Sequence, residues 1–364
     1  MAPNVSPAES EILAVAGRIQ PPDLAAAAEA RARQAQLTKP AGSLGRLEDL
    51  AMEIAGLTGS VRPQWQRRLI VVFAADHGVA AEGVSAYPSA VTPQMVLSFA
   101  RGTAAVCALA RAANARLVVV DVGVAATFPA DLPIVHAKVR AGTASFVGGP
   151  AISRDEAIQA MRVGTEVVAT EVARGVDLLA LGDMGIGNTT AAAALVAALL
   201  GLDAAEVVGR GTGVDDEGLR RKIAVVRRGL DANRPDPGDP IGVLAAVGGL
   251  EIAAMAGAML RAAAARIPVL LDGYICGAAA LVAGRLAPTV RPYLIAAHRS
   301  TEPGHRRILS ALELEPLLDL GMRLGEASGA ALALPIVAAA LATHDQMATF
   351  ADAGVSTALG SGGP

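Results

Sequence analysis

The sequence predicts an α/β protein built on a doubly wound, mostly parallel sheet, with a small helical domain formed from both chain ends. Short apolar runs of strand length alternate with helical segments over the middle of the chain, which is the order of a parallel sheet. These runs are apolar throughout, as strands buried on both faces are. Both ends are helical, so we expect a helical domain at 1–60 and 325–364 and the sheet domain at 61–324.

The predicted strands and helices follow from this alternation. Leu69–Ala75 (LIVVFAA) is a continuous apolar run of buried-strand length, and Ile134–Val139 is the weaker candidate strand. The predicted strands lie at 69–75, 117–122, 134–139, 176–181, 268–271 and 293–297. The predicted helices between them lie at 92–114, 153–172, 217–232, 248–265 and 273–286, and a further helix continues through Ala191 to Leu200. In the first sixty residues, Pro21, Pro22 and Asp23 open one helix, and Gly42 or Ser43 is expected to start the next.

The composition is that of a compact globular protein, with 53% apolar and 18% charged residues. A net charge of −3 with mixed signs gives no reason to expect a nucleic acid or an anionic membrane as partner. Cys107 and Cys276 are expected to be buried, reduced thiols, which suits a cytoplasmic protein, and no signal peptide is visible. The uncharged run Ala327–Thr343 is interrupted by Pro335 and is interpreted as a buried helix. The glycine-rich C-terminal tail is expected to fray.

A candidate anion site lies in the stretch 176–190, which reads as a buried strand, a glycine-rich turn and a helix. Gly185 and Gly187 can turn backbone N–H groups toward one point, and the helix dipole favours negative charge there. The turn is neither a P-loop nor GxGxxG, and by itself it fits a plain strand–helix connection equally well. Asp183, just past the predicted strand end, favours a ligand site, because ligands meet open α/β sheets at that edge.

Polar residues also follow the other strands, at their carboxyl ends. For any single Asp or His, a loop capped by its own side chain is as good an explanation, but the accumulation favours a site. The residues concerned are Asp76, His77, Asp121, Asp272, His298, Ser300, Glu302 and His305. No metal-binding spacing is present, and the pair Asp215-Asp216 precedes a helix, where acids are stabilising without a metal. We therefore expect no metal. Lys222, on that helix, could meet a phosphate, although a solvated lysine is the usual case.

Taken together, several stretches resemble one family, the nicotinate-nucleotide–dimethylbenzimidazole phosphoribosyltransferases of the cobamide lower-ligand pathway. The resemblance covers nearly the whole chain in the expected order, and such ordered agreement is more specific than any one motif. The stretches are KPAGSLGRLEDLA (39–51), ADHGVAAEGVSAYPSAVTPQM (75–95), DVGV (121–124), GDMGIGNTT (182–190), GRGTGVDDEGLRRK (209–222), GGLEIAAMAGAML (248–260), PVLLDG (268–273), AHRSTEPGH (297–305) and MRLGEASGAALALP (322–335).

The resemblance implies a reaction and an assembly. Members of the family convert nicotinate mononucleotide and 5,6-dimethylbenzimidazole to α-ribazole 5′-phosphate and nicotinate, with inversion at C1′. The family is homodimeric and has a Rossmann-like large domain with a small helical domain from both chain ends. Its active site lies at the carboxyl edge of the sheet, closed partly by the other subunit. No cofactor is implied, and the partners are small-molecule substrates.

The resemblance also assigns roles to residues of this chain. Glu326 matches the family's general base, although its motif alone would suggest a helix-start acid. Asp183 matches a second acid near the ribose, where a carboxylate can steady developing positive charge. The residues that match the phosphate and ribose cradle are Gly185, Ile186, Gly187, Asn188, Thr189, Thr190, Lys222 and Ser300. Those that match the pocket for the flat base are Tyr87, Met95 and Met184.

One departure concerns the second acid. The family usually has Glu in the motif GEMGIGNTT, and Asp183 is one methylene shorter. We expect the local backbone to compensate, because nothing else in the motif is eroded and Gly182 leaves the turn free to adjust.

Two other functions compete with this interpretation of the sequence. A nucleotide hydrolase would offer water in place of the base, and it would need a polar water site where Tyr87, Met95 and Met184 form an apolar lining. A non-enzymatic mononucleotide sensor would keep the phosphate cradle, but it would not need Glu326. Which base is preferred, whether a benzimidazole, a purine or a phenol, does not follow from the sequence.

Overall fold

A six-stranded parallel sheet forms the centre of the computed structural model, which describes residues 6–357. The strands are β1 Arg68–Ala75, β2 Ala115–Gly123, β3 Val135–His136, β4 Leu178–Met184, β5 Val269–Leu271 and β6 Leu294–Ala296. Their order is β3-β2-β1-β4-β5-β6, and every neighbouring pair is parallel. The predicted doubly wound sheet is confirmed, and its strand order is that of the Rossmann fold. The weakest predicted strand, 134–139, is reduced to the two residues of β3.

Helices cover both faces of this sheet. Every residue of β4 is buried, and successive side chains of a strand point to opposite faces, so neither face is open there. The helices are α1 Pro7–Ala16, α2 Leu24–Gln36, α3 Arg46–Thr58, α4 Val91–Ala100, α5 Ala105–Ala112, α6 Arg154–Arg174, α7 Asn188–Leu200, α8 Ala204–Val207, α9 Asp216–Asn233, α10 Pro240–Val247, α11 Leu250–Ala264, α12 Tyr274–Leu286, α13 Pro303–Ala311, α14 Ser328–Gln346 and α15 Phe350–Ala353. Short 3₁₀ helices occupy Gly78–Glu82 and Pro288–Tyr293.

Two helix predictions need correction. The single helix predicted at 92–114 is two helices, α4 and α5, separated by a turn in which Gly102 has a φ of +73°. Neither Gly42 nor Ser43 caps α3, because that helix begins one turn later with Gly45 at its N-cap. The helix α10 was not predicted, although Asp239 caps it and Pro240 opens it, which is a usual start signal.

The two chain ends meet, as the helical-domain hypothesis requires. α2 and α14 both pack on α3, and the Arg33 guanidinium donates to the carbonyl of His344 at 2.8 Å. The Thr38 N–H donates to the carbonyl of Ala348 just beyond α14. α1 packs instead on α6 and α11, and α14 also packs on β4 and β5. The boundaries at residues 60 and 325 therefore stay a prediction, and the C-terminal tail that was predicted to fray lies outside the described residues.

Two segments, 91–112 and 328–346, are apolar and long enough to cross a membrane by length and composition. The second is α14, which packs on α3, α5 and β4 and forms part of the core, as expected of a buried helix. Within the first, the turn at Gly102 separates α4 from α5, and α5 packs on β2. Cys107 and Cys276 are buried and free, as predicted.

Candidate active site

A cavity of about 650 Å³ opens at the carboxyl edge of the sheet, where β1, β4, β5 and β6 end. The loop 322–326, which leads into α14, closes one side of it. The predicted site residues that line it are Tyr87, Met95, Asp183, Met184, Gly185, Ile186, Asn188, Thr189, Ser300 and Glu326. Residues separated by more than two hundred positions in the sequence are thus brought together. The lining also contains residues for which the sequence indicated no specific role, among them His298, Glu302 and Arg323.

Three residues predicted for the phosphate cradle do not line the cavity. Gly187 is the N-cap of α7, with a φ of +98°, and Thr190 is fully buried behind it. Lys222 is 1% exposed and lies behind Thr189, to whose Oγ1 its Nζ donates at 2.8 Å. The Ile186 N–H, although in the cavity wall, donates to Thr92 Oγ1. Fewer amides of the turn are therefore free for an anion than the motif suggests.

Glu326 stands at a tight approach between the loop 322–326 and β4. Glu326 and Ala327 have φ values of +62° and +63°, and such left-handed residues cost roughly 1 kcal/mol or more each. The Glu326 N–H donates to the carbonyl of Asp183 at 3.2 Å. Strain of this kind persists where the surroundings fix it, which is common at functional sites.

Gly182 permits this approach, and our expectation that it frees the turn to adjust is wrong. Gly182 lies inside β4, and a Cβ built there would be 2.1 Å from the Ala327 nitrogen. A side chain at this position would therefore push the Glu326 turn away from the strand. The glycine serves close backbone contact rather than mobility.

The Glu326 carboxyl group is buried and has no cationic partner among residues 6–357. Burial raises its pKa from 4.5 to about 7, a rise that the nearby amide of Val106 opposes weakly. Its Oε2 has no hydrogen-bond partner within residues 6–357. A carboxylate with a free oxygen and a pKa near neutrality is suited to accept a proton.

Asp183 lies at the end of β4 and is oriented by Asn188. The Asn188 side-chain amide donates to Asp183 Oδ2 at 2.8 Å. Burial, and after it the charges of Asp272 and Glu251, raise the pKa of Asp183 well above its usual value. Before a ligand binds, burial therefore disfavours the charged form of this carboxyl group.

Asp272, at the end of β5, has a structural partner. Its Oδ1 accepts the N–H groups of Gly329 and Ala330 at the start of α14, at 2.7 and 3.1 Å. Burial nevertheless raises its pKa to about 7. His298 Nε2 lies 3.6 Å from Asp272 Oδ1, and burial lowers the pKa of this histidine. Asp272 thus fixes the helix that follows Glu326.

The predicted base pocket forms the apolar part of the cavity. Met184 is buried, Met95 is half-buried on α4, and Tyr87 is 55% exposed at the rim. Leu324, in the loop opposite, is 56% exposed. A flat ring entering between these side chains would meet sulfur and aromatic surface rather than fixed polar groups.

A buried pair behind the glycine-rich turn was missed from sequence. His77 Nε2 and Glu251 Oε1 lie 2.6 Å apart, and both side chains are fully buried. The His77 ring packs against Gly185, where a Cβ would lie 3.2 Å from it. The pair supports the turn from below. The motif ADHG contained His77, but no local signal could link it to a partner 174 residues away.

The other polar residues that follow strands have structural partners. Asp76 accepts the Ala125 N–H and Asp121 accepts the Val124 N–H. Asp215 caps α9 by accepting the Gly218 N–H, and Asp216 pairs with Arg210. Among the described residues, no three His, Cys, Asp or Glu side chains are grouped as metal ligands would be.

Comparison with known proteins agrees with this architecture. A family model described as "Phosphoribosyltransferase" matches residues 19–355. A nicotinate-nucleotide–dimethylbenzimidazole phosphoribosyltransferase from Roseiflexus sp. (strain RS-1) is 57% identical over 93% of this chain and 96% of its own length. An enzyme of the same name from Desulforudis audaxviator is 55% identical over 94% of this chain and 97% of its own length.

A solved structure shares the fold. The crystal structure of CobT from Thermus thermophilus has a TM-score of 0.88 and 52% identity, over 91% of this chain and 99% of that one. Identity at this level over nearly the full length, together with the matching family model, decides the family. The chain belongs to the nicotinate-nucleotide–dimethylbenzimidazole phosphoribosyltransferase family.

Proposed function

We propose that the chain transfers the 5-phosphoribosyl group of nicotinate mononucleotide to 5,6-dimethylbenzimidazole or a related lower-ligand base. The products are α-ribazole 5′-phosphate and nicotinate, within cobalamin biosynthesis. The observation that carries the proposal is the cavity in which an unpaired carboxyl group, Glu326, faces a glycine-rich turn and an apolar wall. Two curated relatives that are 57% and 56% identical to this chain are named for this reaction.

The proposed chemistry needs one base and no acid. The bond from C1′ to the nicotinate ring nitrogen breaks, and that nitrogen keeps the electron pair. It is cationic in the substrate, so it leaves without being protonated. One benzimidazole nitrogen forms the new bond from the opposite face, and the proton on the other nitrogen passes to Glu326. A pKa of about 7 suits this step, because a base works best when its pKa is near the working pH.

Asp183 is proposed to steady positive charge on the ribose. Burial raises the pKa of its carboxyl group, which disfavours the charged form before substrate binds. The cationic ring of the bound nucleotide lowers that pKa, since an opposite charge favours the ionised form. The bound substrate thus favours the charged form of Asp183 that the chemistry needs. The Asn188 amide holds the carboxylate in one orientation for this role.

The phosphate is proposed to lie at the glycine-rich turn, with Lys222 behind it. The N-terminus of α7 favours an anion there. Lys222 Nζ donates one hydrogen bond to Thr189 Oγ1, and Ser300 also lines the cavity. Gly185, Ile186, Asn188 and Thr189 would form the wall, whereas Gly187 and Thr190 would shape the turn from behind.

A homodimer is proposed because the cavity has an apolar, open rim. Tyr87 and Leu324 are each more than half exposed on it. A second copy covering this rim would shield the base from water and complete the pocket. We propose a cytoplasmic enzyme that uses no metal or cofactor, because the leaving group carries its own positive charge.

The test is an assay for nicotinate release with and without 5,6-dimethylbenzimidazole, in excess chelator, with products identified by mass. The proposal expects release only with the base, and α-ribazole 5′-phosphate as product. Release without the base would indicate a hydrolase, and binding of the nucleotide without release would indicate a sensor. Competition among benzimidazole, purine and phenol acceptors would then identify the preferred base.

A further inference from the structure

Glu302 is a buried carboxylate of the cavity that the proposed chemistry does not use. It is 5% exposed and precedes α13 as its N-cap residue, but its side chain does not cap that helix. Instead its Oε1 accepts the N–H of Gly211 at 2.8 Å, and its Oε2 has no hydrogen-bond partner in the described chain. The carboxylate is thus directed at a neighbouring loop.

That loop, residues 209–213 (the glycine loop), fits closely between Glu302 and Lys222. A Cβ at Gly209 would be 2.1 Å from Glu302 Oε2, and one at Gly211 would be 2.8 Å from Lys222 Nζ. Arg323 donates to the carbonyl of Gly211 at 3.1 Å. The glycine loop therefore joins the lysine of the phosphate subsite to the segment that carries Glu326.

Glu302 also supplies the negative charge that acts on Lys222. Burial lowers the pKa of Lys222 to about 8, and the Glu302 carboxylate opposes this effect. The other groups facing the amine are the Thr189 hydroxyl from α7 and the backbone of Gly211. Tyr274 of α12 lies within the field of Glu302 and is kept neutral by burial, which raises its pKa. On α9 itself, Arg221 is paired with Glu217 at the exposed surface.

We propose that Glu302 is a positioning residue of the phosphate subsite, where it holds the glycine loop through the Gly211 amide and keeps Lys222 charged for phosphate binding. The inference rests on the proposed function, because it takes the phosphate of nicotinate mononucleotide as the ligand of Lys222. Once phosphate is bound, its own negative charge stabilises the Lys222 ammonium group. Glu302 therefore has its largest effect in the free enzyme.

The variant Glu302→Gln separates charge from geometry, since a Gln carbonyl can still accept the Gly211 N–H. The readout is kcat/KM for nicotinate mononucleotide against pH, which reports the free enzyme. Without the charge the pKa of Lys222 falls further, and activity is lost at lower pH. We expect a loss of about fivefold at pH 8 and less than about twofold at pH 6.5, as a fall of about one unit in the pKa of Lys222 would give. An equal loss at both pH values, or none, overturns the proposal.

Two companion variants complete the design. Glu302→Asp keeps the charge, so we expect its high-pH limb to lie near that of the parent even if KM rises. If the high-pH limb of the Glu302→Asp profile moved to lower pH, as is expected for Glu302→Gln, the role of the charge would be contradicted. Glu206→Gln removes an exposed carboxylate that pairs with Arg307 of α13, and it should leave the profile unchanged.

Inorganic phosphate distinguishes failure of this inference from failure of the proposed function. Binding of inorganic phosphate to parent and Glu302→Gln is measured by calorimetry at pH 6.5 and 8. Weaker binding by the variant at pH 8 alone supports the role of Glu302 even if the parent makes no α-ribazole 5′-phosphate. Equal binding by both proteins at pH 8 overturns that role even if the parent is fully active.

Discussion

Buried carboxylates at the amino edge of the sheet differ from those in the cavity at its carboxyl edge in whether they have cationic partners. At the amino edge, Asp177 accepts hydrogen bonds from the Arg67 backbone and guanidinium, at 2.8 and 2.6 Å, and Glu171 pairs with Arg116 and Arg174. At the carboxyl edge, the acids of the cavity form no ion pair with Lys or Arg within residues 6–357. A buried carboxylate without a cation costs stability, so it is kept where chemistry needs it.

Cavity size does not distinguish the two edges. An arginine-lined cleft of about 760 Å³ at the amino edge is larger than the cavity of about 650 Å³ that contains Glu326. Of its five arginines, Arg67, Arg116 and Arg174 have carboxylate partners, and the other two donate to backbone carbonyls. Unpaired acids with raised pKa values, and not volume, identify the site.

The largest expected effect comes from removing a carboxylate at each edge in turn. Glu326→Gln should lower kcat by roughly 10²-fold or more, the usual size of a general-base effect, and should leave nucleotide binding intact. Glu171→Gln, its counterpart at the amino edge, should leave kcat unchanged. Steady-state assays of both variants test this contrast. Near-normal turnover by Glu326→Gln would remove that residue from the mechanism.

Next in size is the loss of the second acid. Asp183→Asn should reduce kcat by about 10²-fold, because a preorganised charge near the reacting carbon is lost. Asp183→Glu should leave kcat unchanged or reduce it, since Asn188 already holds the shorter side chain. Turnover is measured at saturating substrates. A several-fold gain for the Glu variant would mean that the native carboxylate is poorly positioned, and full activity of the Asn variant would exclude the charge from the chemistry.

A smaller effect is expected from removing Lys222, the cation at the carboxyl edge. Lys222→Ala should weaken nicotinate mononucleotide binding by about 10- to 150-fold, which corresponds to the roughly 1.5–3 kcal/mol of a charge-assisted contact. Affinity for the free base should hardly change, because Lys222 lies behind the phosphate subsite and not in the apolar wall. Calorimetric titration with each ligand measures the two affinities and tests this difference. Equal weakening of both ligands would indicate a structural role.

The remaining effects are on stability, and they have opposite signs at the two edges. Asp177→Asn should lower the free energy of unfolding by about 1–3 kcal/mol, because it weakens hydrogen bonds to a charged group. Glu326→Gln should stabilise the protein. The folded-state pKa of Glu326 is raised from 4.5 to about 7, so the parent loses stability as pH rises through that interval. Chemical denaturation at pH 4.5, 6 and 8 should therefore show an advantage of Glu326→Gln that grows to pH 7 and then stays constant. An advantage independent of pH would contradict the pKa assignment.

The sequence predicts the sheet well because its strands are buried on both faces and appear as apolar runs. Glycine spacing also indicates the turn before α7. The break at Gly102 was missed because the flanking residues keep helical composition. Glu302 was named only as one polar residue among several, since its partner Gly211 lies 91 residues away. The paired left-handed residues Glu326 and Ala327 have no sequence signature, because such backbone normally calls for glycine.

The resemblance to the family supplied residue roles that could not be derived from the physical chemistry of the sequence alone. Glu326 by its motif is a helix-start acid, and only the family pattern made it a candidate base. The structure adds the reason it could work, which is burial with no cationic partner in the part of the chain that the structure describes. It also separates the residues of the cradle motif that reach the cavity, such as Thr189, from those that shape the turn, such as Thr190.

The most direct test of the unpaired-acid account is the pH dependence of kcat/KM for nicotinate mononucleotide in the parent and in Glu326→Gln. The parent should give a bell-shaped profile, with a rising limb at a pKa of about 7 as Glu326 loses its proton and a falling limb near 8 as Lys222 does. In Glu326→Gln the rising limb should disappear while the falling limb stays. A rising limb that persists in this variant would assign the titration to another group, such as Asp272, and would contradict the account.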